Sequence, residues 1–389
     1  MTQKWLNSEV TIMDPETREG ITRSAADAFG AARGRSLMDL ARRIGELDDL
    51  TSDAGTTDIM LFPLDPRAAR RWQELARRRS EDWIFVVSTD EKTVLAVDQP
   101  SEAGMRDPAA GVIFPELHTR LVSWWLIHAW RSVDLAQDAV YSLGRWRISS
   151  AAVAVRALIE EAGCLLVEGT NLAAAWAEVK ALPPDPITRP SSVRSKLHPI
   201  LTRTAIASRL KGTPQDLQAT NVLTYVQKLA RATRDGRYIE WYDWLSDASH
   251  PAFGARVALS SPPIVHGSEA FTSRTYARSP LALQSADGSV EPLSNEVAFY
   301  AADALIAAGS VLCDLLAHAL HLVDDFGLTT GAAGLTGRLY WRDFKPVKGS
   351  RPCPCGRAAW SRCQHRWGQP APSISVPQAA IPKPASPIM

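Results

Sequence analysis

Apolar residues recur every three or four positions along several long stretches of this chain, and this spacing strongly limits the possible folds. Between residues 149 and 168 the repeat places one apolar face on an α-helix, formed by Ala152, Val155, Ile159, Ala162 and Leu166. The same kind of pattern predicts helices over 20–48, 117–143, 215–232 and 294–325, the last being the longest. The sequence therefore predicts a mainly α-helical protein.

The first part of the chain departs from this pattern. Trp83–Val87 and Thr93–Val97 are runs rich in β-branched residues, and a polar link joins them, which predicts a β-hairpin. A charged helix is expected over 66–79, where a proline stands near the first turn. We therefore predict a small mixed α/β region over 1–112, followed by a helical central domain over 113–326.

Composition narrows the class of protein. Hydrophobic residues make up 46% of the chain and charged residues 22%, with a formal net charge of +1, which is typical of globular proteins without a whole-chain preference for nucleic acid or membranes. The apolar stretch 297–323 contains Asp303, Asp314, His318 and His321, too many polar groups for a lipid-spanning helix. The N-terminus lacks a signal-peptide pattern. We expect a cytoplasmic protein.

The most specific chemical signal lies near the C-terminus, where Cys353-Pro-Cys355 is followed by Cys363-Gln-His365. Three thiolates and one imidazole are the ligand set of a closed, tetrahedral structural zinc site, with no open position for catalysis. The sequence therefore predicts Zn²⁺ as a cofactor. The other two cysteines, Cys164 and Cys313, stand alone in apolar helical stretches and are predicted to be buried core residues.

The segment around these ligands is basic. Between Gly337 and Gly368 it has Asp343 as its one acidic residue, against eight basic residues: Arg338, Arg342, Lys345, Lys348, Arg351, Arg357, Arg362 and Arg366. Interleaved aromatic residues could stack on bases while the cations contact phosphates, or the segment could dock on an acidic protein surface. A solvated basic face is the third alternative. A Pro-rich tail over 369–389 is predicted to be disordered.

The stretch Ser350–His365, with Cys353-Pro-Cys355-Gly356 at its centre, resembles the SEC-C motif, a small zinc module of bacterial proteins. The resemblance implies a zinc knuckle over 338–368. This sequence departs from the family pattern in having Arg357-Ala358 after the glycine. It also has Gln364 between the last two ligands. The resemblance covers about twenty residues and implies nothing about the remainder of the chain.

A second group of polar residues stands in the helical region. Arg156 and Glu160 are four residues apart and therefore share a helix face, but Arg before Glu is the weaker order for a surface pair. We therefore expect them to bond elsewhere, and the polar stretch from Tyr238 to Pro251 is one candidate. With His250 as acid/base and Arg156 as charge clamp, the group could hold or hydrolyse a phosphate ester. The alternative is a buried polar network that fixes helix packing.

This arrangement resembles the DUF5677-type helical proteins of unassigned function. The matching residues are Arg156, Glu160, Tyr242, Leu245, Ser246, His250 and Pro251. Such families are sometimes grouped with HEPN-type ribonucleases, whose signature is an Arg, four to six intervening residues and then a His. No arginine of this chain is separated from a following histidine by four to six residues, which weakens the nuclease interpretation.

A last candidate is Asp314, His318 and His321, whose spacing suits metal ligands on one helix face, although a polar stripe near a helix C-terminus gives the same pattern. Common nucleotide-binding, hydrolase and zincin motifs are absent from the sequence. The first functional hypothesis is accordingly a non-catalytic zinc protein whose basic knuckle docks on a protein or nucleic acid. The alternative is a helical HEPN-like phosphodiesterase or ribonuclease of a defence or toxin system.

Overall fold

A computed structural model describes residues 9–12, 18–56, 83–87, 94–98, 108–184, 188–266, 271–285 and 287–332. These residues form a mainly helical protein with a few small strands, which confirms the predicted fold class in its main feature. The predicted zinc knuckle, the Pro-rich tail and the predicted helix over 66–79 lie outside the described residues.

Eight α-helices are described. Their bounds are α1 Arg18–Thr51, α2 Pro108–Gly144, α3 Ile148–Lys180, α4 Thr188–Ile206, α5 Val222–Thr233, α6 Arg237–Ser249, α7 Phe253–Val257 and α8 Glu296–Thr330. A short 3-10 turn spans Gln215–Leu217. Helix α1 is kinked at Gly30, whose φ of 78° is a backbone conformation that glycine adopts without a steric penalty.

Seven short strands accompany the helices: β1 Glu9–Ile12, β2 Trp83–Val87, β3 Val94–Asp98, β4 Ile264–His266, β5 Phe271–Ser273, β6 Leu281–Gln284 and β7 Val290–Pro292. The pairings between these strands are all antiparallel, in a three-stranded sheet of order β1-β6-β7 and two hairpins, β2-β3 and β4-β5. The β2-β3 hairpin confirms the sequence prediction. Asp287 and Gly288 form the turn between β6 and β7, where Gly288 has a φ of 84°.

The chain divides into two compact units. Unit 1 contains residues 1–54, 126–169 and 220–318, and unit 2 contains residues 55–125, 170–219 and 319–389. Both units draw on the ranges 1–112 and 113–326, and the domain boundaries predicted from sequence stay a prediction.

Unit 1 is built on the apolar faces that the sequence pattern indicated. Ala152, Val155 and Ile159 of α3 are fully buried. Leu40 of α1 packs so closely on α8 that a β-carbon added to Gly309 would lie 2.8 Å from the leucine side chain. A smaller apolar cluster beside the sheet consists of Ile264, Leu281, Leu283 and Leu293.

Unit 2 has its aromatic centre at Phe326, which is fully buried. The ring of Phe326 lies 4.8 Å from that of Trp176 and meets Phe114 edge to face at 6.2 Å. Helix α4 adds the buried residues Pro190, Val193, Leu197 and Leu201. Helix α4 was not predicted from the sequence, because its polar composition and two prolines concealed the helical repeat of these four residues.

Two predicted helices differ from expectation, one in where it begins and the other in its relative length. The helix predicted over 215–232 is a 3-10 turn followed by α5, which begins after Asn221, whose side chain accepts a hydrogen bond from the Leu223 amide at 3.1 Å. The longest described helix is α2, with 37 residues against 35 for α8. The expectation that α8 would be longest was therefore wrong.

Helix α8 is the one described helix long and apolar enough, by length and composition, to cross a membrane. In unit 1 two of its acidic residues are paired: Asp303 bonds Arg33 at 2.6 Å, and Asp314 bonds Arg43 at 2.7 Å. These pairings are consistent with a helix packed within the protein, since charged groups in lipid are costly.

Candidate functional site

The structure brings Arg156 and Glu160 of α3 together with Tyr242 of α6. The Arg156 Nη2 donates to the Tyr242 hydroxyl at 3.1 Å, and that hydroxyl donates to Glu160 Oε1 at 3.2 Å. Arg156 Nε lies 3.4 Å from Glu160 Oε1, and its guanidinium lies 5.2 Å from the tyrosine ring centre. The partner of the arginine–glutamate pair therefore belongs to the Tyr238–Pro251 stretch that the sequence singled out.

His250 stands apart from this trio. It is the exposed residue that caps the C-terminus of α6, and its backbone carbonyl accepts a hydrogen bond from the Ala252 amide at 2.7 Å. Eight residues separate it from Tyr242, which corresponds to about 12 Å along a helix. Within the described parts of the chain, its side chain makes no hydrogen bond to Arg156 or Glu160.

The third predicted set lies on α8. The Asp314 carboxylate is engaged by Arg43, and His318 donates from Nδ1 to the backbone carbonyl of Asp314 at 2.7 Å. His321 is exposed. In the part of the chain that the structure describes, these residues do not form a group of converging metal ligands.

A different cluster, which the sequence analysis did not assemble, surrounds His128 of α2. Its Nδ1 is in short hydrogen-bond contact with Glu161, and its Nε2 lies 3.0 Å from Glu168 Oε2. The thiol of Cys164 donates to the other Glu168 oxygen at 3.4 Å. We call His128, Glu161, Cys164 and Glu168 the His128 cluster.

Helix periodicity explains why three members of the cluster meet one imidazole. Glu161, Cys164 and Glu168 are separated by three and four residues, so they stand on one face of α3. The signal was present in the sequence, but Cys164 was assigned to the core and His128 sits in an apolar run. Nothing in the sequence showed which face of α2 would meet this face of α3.

Arg131, one turn beyond His128 on α2, completes the charge pattern. Its Nε donates to Glu161 Oε2 at 2.8 Å. Glu161 is therefore held on one oxygen by Arg131 and on the other by His128. The side chain of Glu161 is only 8% exposed and that of His128 10% exposed, so these charges interact where water screens them weakly.

The environment of the cluster changes the protonation of two groups. Burial lowers the pKa of His128, but hydrogen bonds to Glu161 and Glu168 outweigh burial and raise the pKa to about 9. Without a bound cation the imidazole is therefore protonated at neutral pH. Burial, followed by the charges of Glu168 and Glu161, raises the pKa of Cys164 far above its usual range, so the free thiol is a poor nucleophile.

Tyr225 of α5 contacts the cluster from the side of Cys164. Its hydroxyl forms a hydrogen bond with the Cys164 sulfur. Helix α5 reaches this position because residue 163 is glycine: a β-carbon there would lie 2.7 Å from the Tyr225 carbonyl oxygen. The dipeptide Gly163-Cys164 thus provides both the close helix approach and the sulfur.

The His128 cluster offers nitrogen, sulfur and oxygen atoms to one point. One such atom from each of His128, Cys164 and Glu168 lies within 4.8 Å of the others. Imidazole, thiolate and carboxylate are all ligands that zinc uses in proteins. The predicted ligands Cys353, Cys355, Cys363 and His365 lie outside the described residues.

Unit 1 also contains an open basic cleft of about 780 Å³. None of its described lining residues is acidic; they are Arg145, Trp146, Arg147, Ile148, Ser149, Ser150, Leu259, Arg278 and Ser279. Arg147 and Arg278 are exposed. Three guanidinium groups and three hydroxyls on one concave surface suit a phosphate-bearing ligand.

Unit 2 contains a buried polar group around Arg120, which is 2% exposed. Its Nη1 donates to His198 Nδ1 at 2.9 Å and its Nη2 donates to the Thr202 hydroxyl at 3.1 Å, while Glu116 pairs with it at 3.4 Å. Burial, reinforced by the positive charges of Arg194 and Arg120, lowers the pKa of His198 to about 3. This neutral, partly buried histidine joins α4 to α2 within the unit.

No known family model, curated protein or solved structure matches this chain significantly. The likenesses to the SEC-C motif and to DUF5677-type proteins therefore stay predictions that rest on the quoted residues.

Proposed function

We propose that this chain is a cytoplasmic zinc-binding protein that docks on a nucleic acid or a protein through its basic C-terminal segment. The observation that carries the proposal is the ligand set Cys353, Cys355, Cys363 and His365, which closes around one Zn²⁺. The surrounding basic and aromatic residues supply the charge and stacking surfaces that a partner would meet. In this proposal, zinc folds the segment that makes contact.

The basic cleft of unit 1 favours a polyanion as that partner. Arg145, Arg147 and Arg278 line the cleft, and phosphate contacts by Arg and Lys dominate the affinity of most nucleic-acid complexes. Nucleic acid is therefore the first partner to test, and an acidic protein surface the second.

The test uses the full chain and a labelled single-stranded RNA of mixed sequence, with a polyglutamate peptide as the acidic-protein probe. We expect RNA binding that weakens as salt rises, because phosphate contacts release counterions. The zinc-knuckle variant Cys353→Ser should lose one equivalent of zinc and most of the affinity. Arg147→Glu and Arg278→Glu should each weaken RNA binding and make it less salt-dependent.

Arg231→Glu is the matched charge control, since Arg231 is exposed on α5 and does not line the cleft. Equal effects of Arg231→Glu and Arg147→Glu would show that only net charge matters. Tight binding of polyglutamate with none of RNA would favour the protein partner. Full binding of both probes by Cys353→Ser would overturn the docking role of the knuckle.

The alternative, a phosphodiesterase or ribonuclease, has support in the contact of Arg156 and Glu160 with Tyr242. Both charged side chains keep about a quarter of their surface exposed, at 29% and 25%, so a phosphate could reach them. His250, the expected acid/base, lies outside that contact, which gives this function less support. Cleavage of RNA by the purified protein, abolished by His250→Ala, would establish it against the docking proposal.

A further inference from the structure

We propose that the His128 cluster is a second metal site, in which His128 Nε2, Cys164 Sγ and the Glu168 carboxylate bind Zn²⁺. It lies in unit 1, on α2 and α3, and shares no residue with the predicted knuckle. The inference is independent of the docking role, because it rests on residues that the structure describes.

The spacing of the donor atoms carries the proposal. Bonds to zinc measure about 2.0 Å for nitrogen and oxygen and about 2.3 Å for sulfur, so tetrahedral ligand atoms stand roughly 3.3–3.6 Å apart. His128 Nε2 lies 3.0 Å from Glu168 Oε2, and Cys164 Sγ lies 3.4 Å from Glu168 Oε1. Small rotations of these side chains would therefore bring all three donors to a common ion.

The opposite side of the imidazole is already oriented as metal-binding histidines require. Such histidines usually donate their second ring N–H to a carboxylate, which fixes the tautomer and directs the free nitrogen at the metal. Glu161 contacts His128 Nδ1 and is itself held by Arg131 at 2.8 Å. Glu161 and Arg131 are thus positioning residues for the proposed ligand His128.

Charge balance is satisfied by a dication. Zinc binds a neutral imidazole and a thiolate. With the ion bound, Zn²⁺ and Arg131 would carry three positive charges, against one negative charge each on Glu161, Glu168 and the Cys164 thiolate. The cluster would therefore be neutral overall, which avoids leaving an uncompensated charge in a poorly solvated place.

Three protein ligands leave one position on a tetrahedral zinc ion open for water or an anion, as in catalytic rather than structural sites. The half-buried Tyr225 bonds the Cys164 sulfur and would stabilise the thiolate form that the metal needs.

The experiment uses Co²⁺ as a spectroscopic probe in a full-length background that lacks the knuckle ligands: Cys353→Ser, Cys355→Ser, Cys363→Ser and His365→Asn. We expect one equivalent of Co²⁺ to bind with a thiolate-to-cobalt charge-transfer absorption. Adding Cys164→Ser should abolish that absorption. Adding His128→Gln should weaken Co²⁺ affinity by at least 100-fold, and Glu161→Gln by roughly 10–100-fold.

Cys313→Ser is the matched control, because Cys313 is the other half-buried cysteine of the described helices. It should leave the absorption unchanged. Absence of thiolate absorption in the knuckle-free background would overturn the proposal, as would its persistence in Cys164→Ser or its loss in Cys313→Ser.

Zinc content of the otherwise unaltered chain gives a second measurement if the knuckle-free background does not fold. We expect two equivalents for the wild type and one each for Cys164→Ser and Cys353→Ser. One equivalent in the wild type, retained in Cys164→Ser and lost in Cys353→Ser, would overturn the second site and leave the knuckle intact. One equivalent in the wild type, lost in Cys164→Ser and retained in Cys353→Ser, would support the second site and overturn the knuckle.

Discussion

A β-carbon placed on Gly163 of α3 would lie 2.7 Å from the carbonyl oxygen of Tyr225 on α5. Backbone atoms, unlike side-chain ends, cannot move aside at little cost. The contact therefore makes glycine necessary for the approach that puts the Tyr225 hydroxyl beside Cys164. It links a single small residue to the geometry of the His128 cluster.

Gly163→Ala should destabilise the protein by about 1–3 kcal/mol, the usual cost of overpacking. The measurement is the midpoint of urea unfolding. Gly45→Ala is the control with the opposite sign, because nothing lies within 4 Å of a β-carbon at Gly45 in α1, and alanine should stabilise that helix by about 1 kcal/mol. An unaltered midpoint for Gly163→Ala would show that α5 sits further from α3.

Tyr242→Phe should cost about 1–2 kcal/mol of unfolding free energy, because it removes the hydroxyl that joins Arg156 to Glu160 and leaves both groups short of a partner. Tyr300→Phe is the control, since its hydroxyl makes one exposed bond to Glu240 at 3.3 Å. A variant of full stability that had lost RNA cleavage would instead indicate a catalytic trio.

Arg33→Lys should lower stability by about 1 kcal/mol. Arg33 donates through Nε and Nη2 to both Asp303 oxygens, at 2.6 and 2.9 Å, and lies over Phe299 with its guanidinium carbon 4.6 Å from the ring centre. Lysine keeps the charge but loses the two-point geometry. Arg42→Lys, at an exposed pair with Glu46, should change thermal stability by less than about 0.5 kcal/mol. Equal losses in both variants would refute the argument.

Lowering the pH should destabilise the wild-type protein more than it destabilises the His198→Gln variant. The pKa of His198 is about 3 in the folded protein and about 6.5 in an unfolded chain. Between these values the unfolded chain binds a proton that the folded protein does not. The contribution of His198 to the unfolding free energy is therefore fully present above about pH 6.5. Between about pH 6.5 and pH 3 it falls by up to about 1.4 kcal/mol for each pH unit of acidification.

Glutamine at 198 accepts the Arg120 hydrogen bond without titrating. Urea unfolding at pH 7 and pH 5 should thus show an extra loss of up to about 2 kcal/mol in the wild type. The same loss in both proteins would mean that His198 is protonated in the folded state.

Most of the helices were predictable because burial of one helix face requires apolar residues every three or four positions, and the sequence shows this repeat directly. Ala152, Val155 and Ile159 obey it, and all three are fully buried. The β2-β3 hairpin was predictable from a different pattern, because two β-branched runs flank a polar link in the sequence. Helix α4 was not, because the inward positions Val193, Leu197 and Leu201 are sparse among polar residues and two prolines.

Of the candidate sites, too, one could be predicted from the sequence and another could not. The Arg156–Glu160 pair was visible because both residues belong to one helix, and its bond to Tyr242 followed from a nearby polar stretch. The His128 cluster was not assembled, because it joins residues 33 and 40 positions apart on helices whose facing sides the repeat leaves unspecified.

By itself, then, the sequence determined most of the helical segments, the apolar faces that those helices bury and which C-terminal residues suit zinc, because those properties depend on the order of neighbouring residues. Tertiary structure alone decided that His128 meets Glu161 and Glu168, and that His250 stands apart from Arg156. The physical reason is that helix packing fixes the rotation of each helix against its neighbours, and local periodicity does not contain that angle.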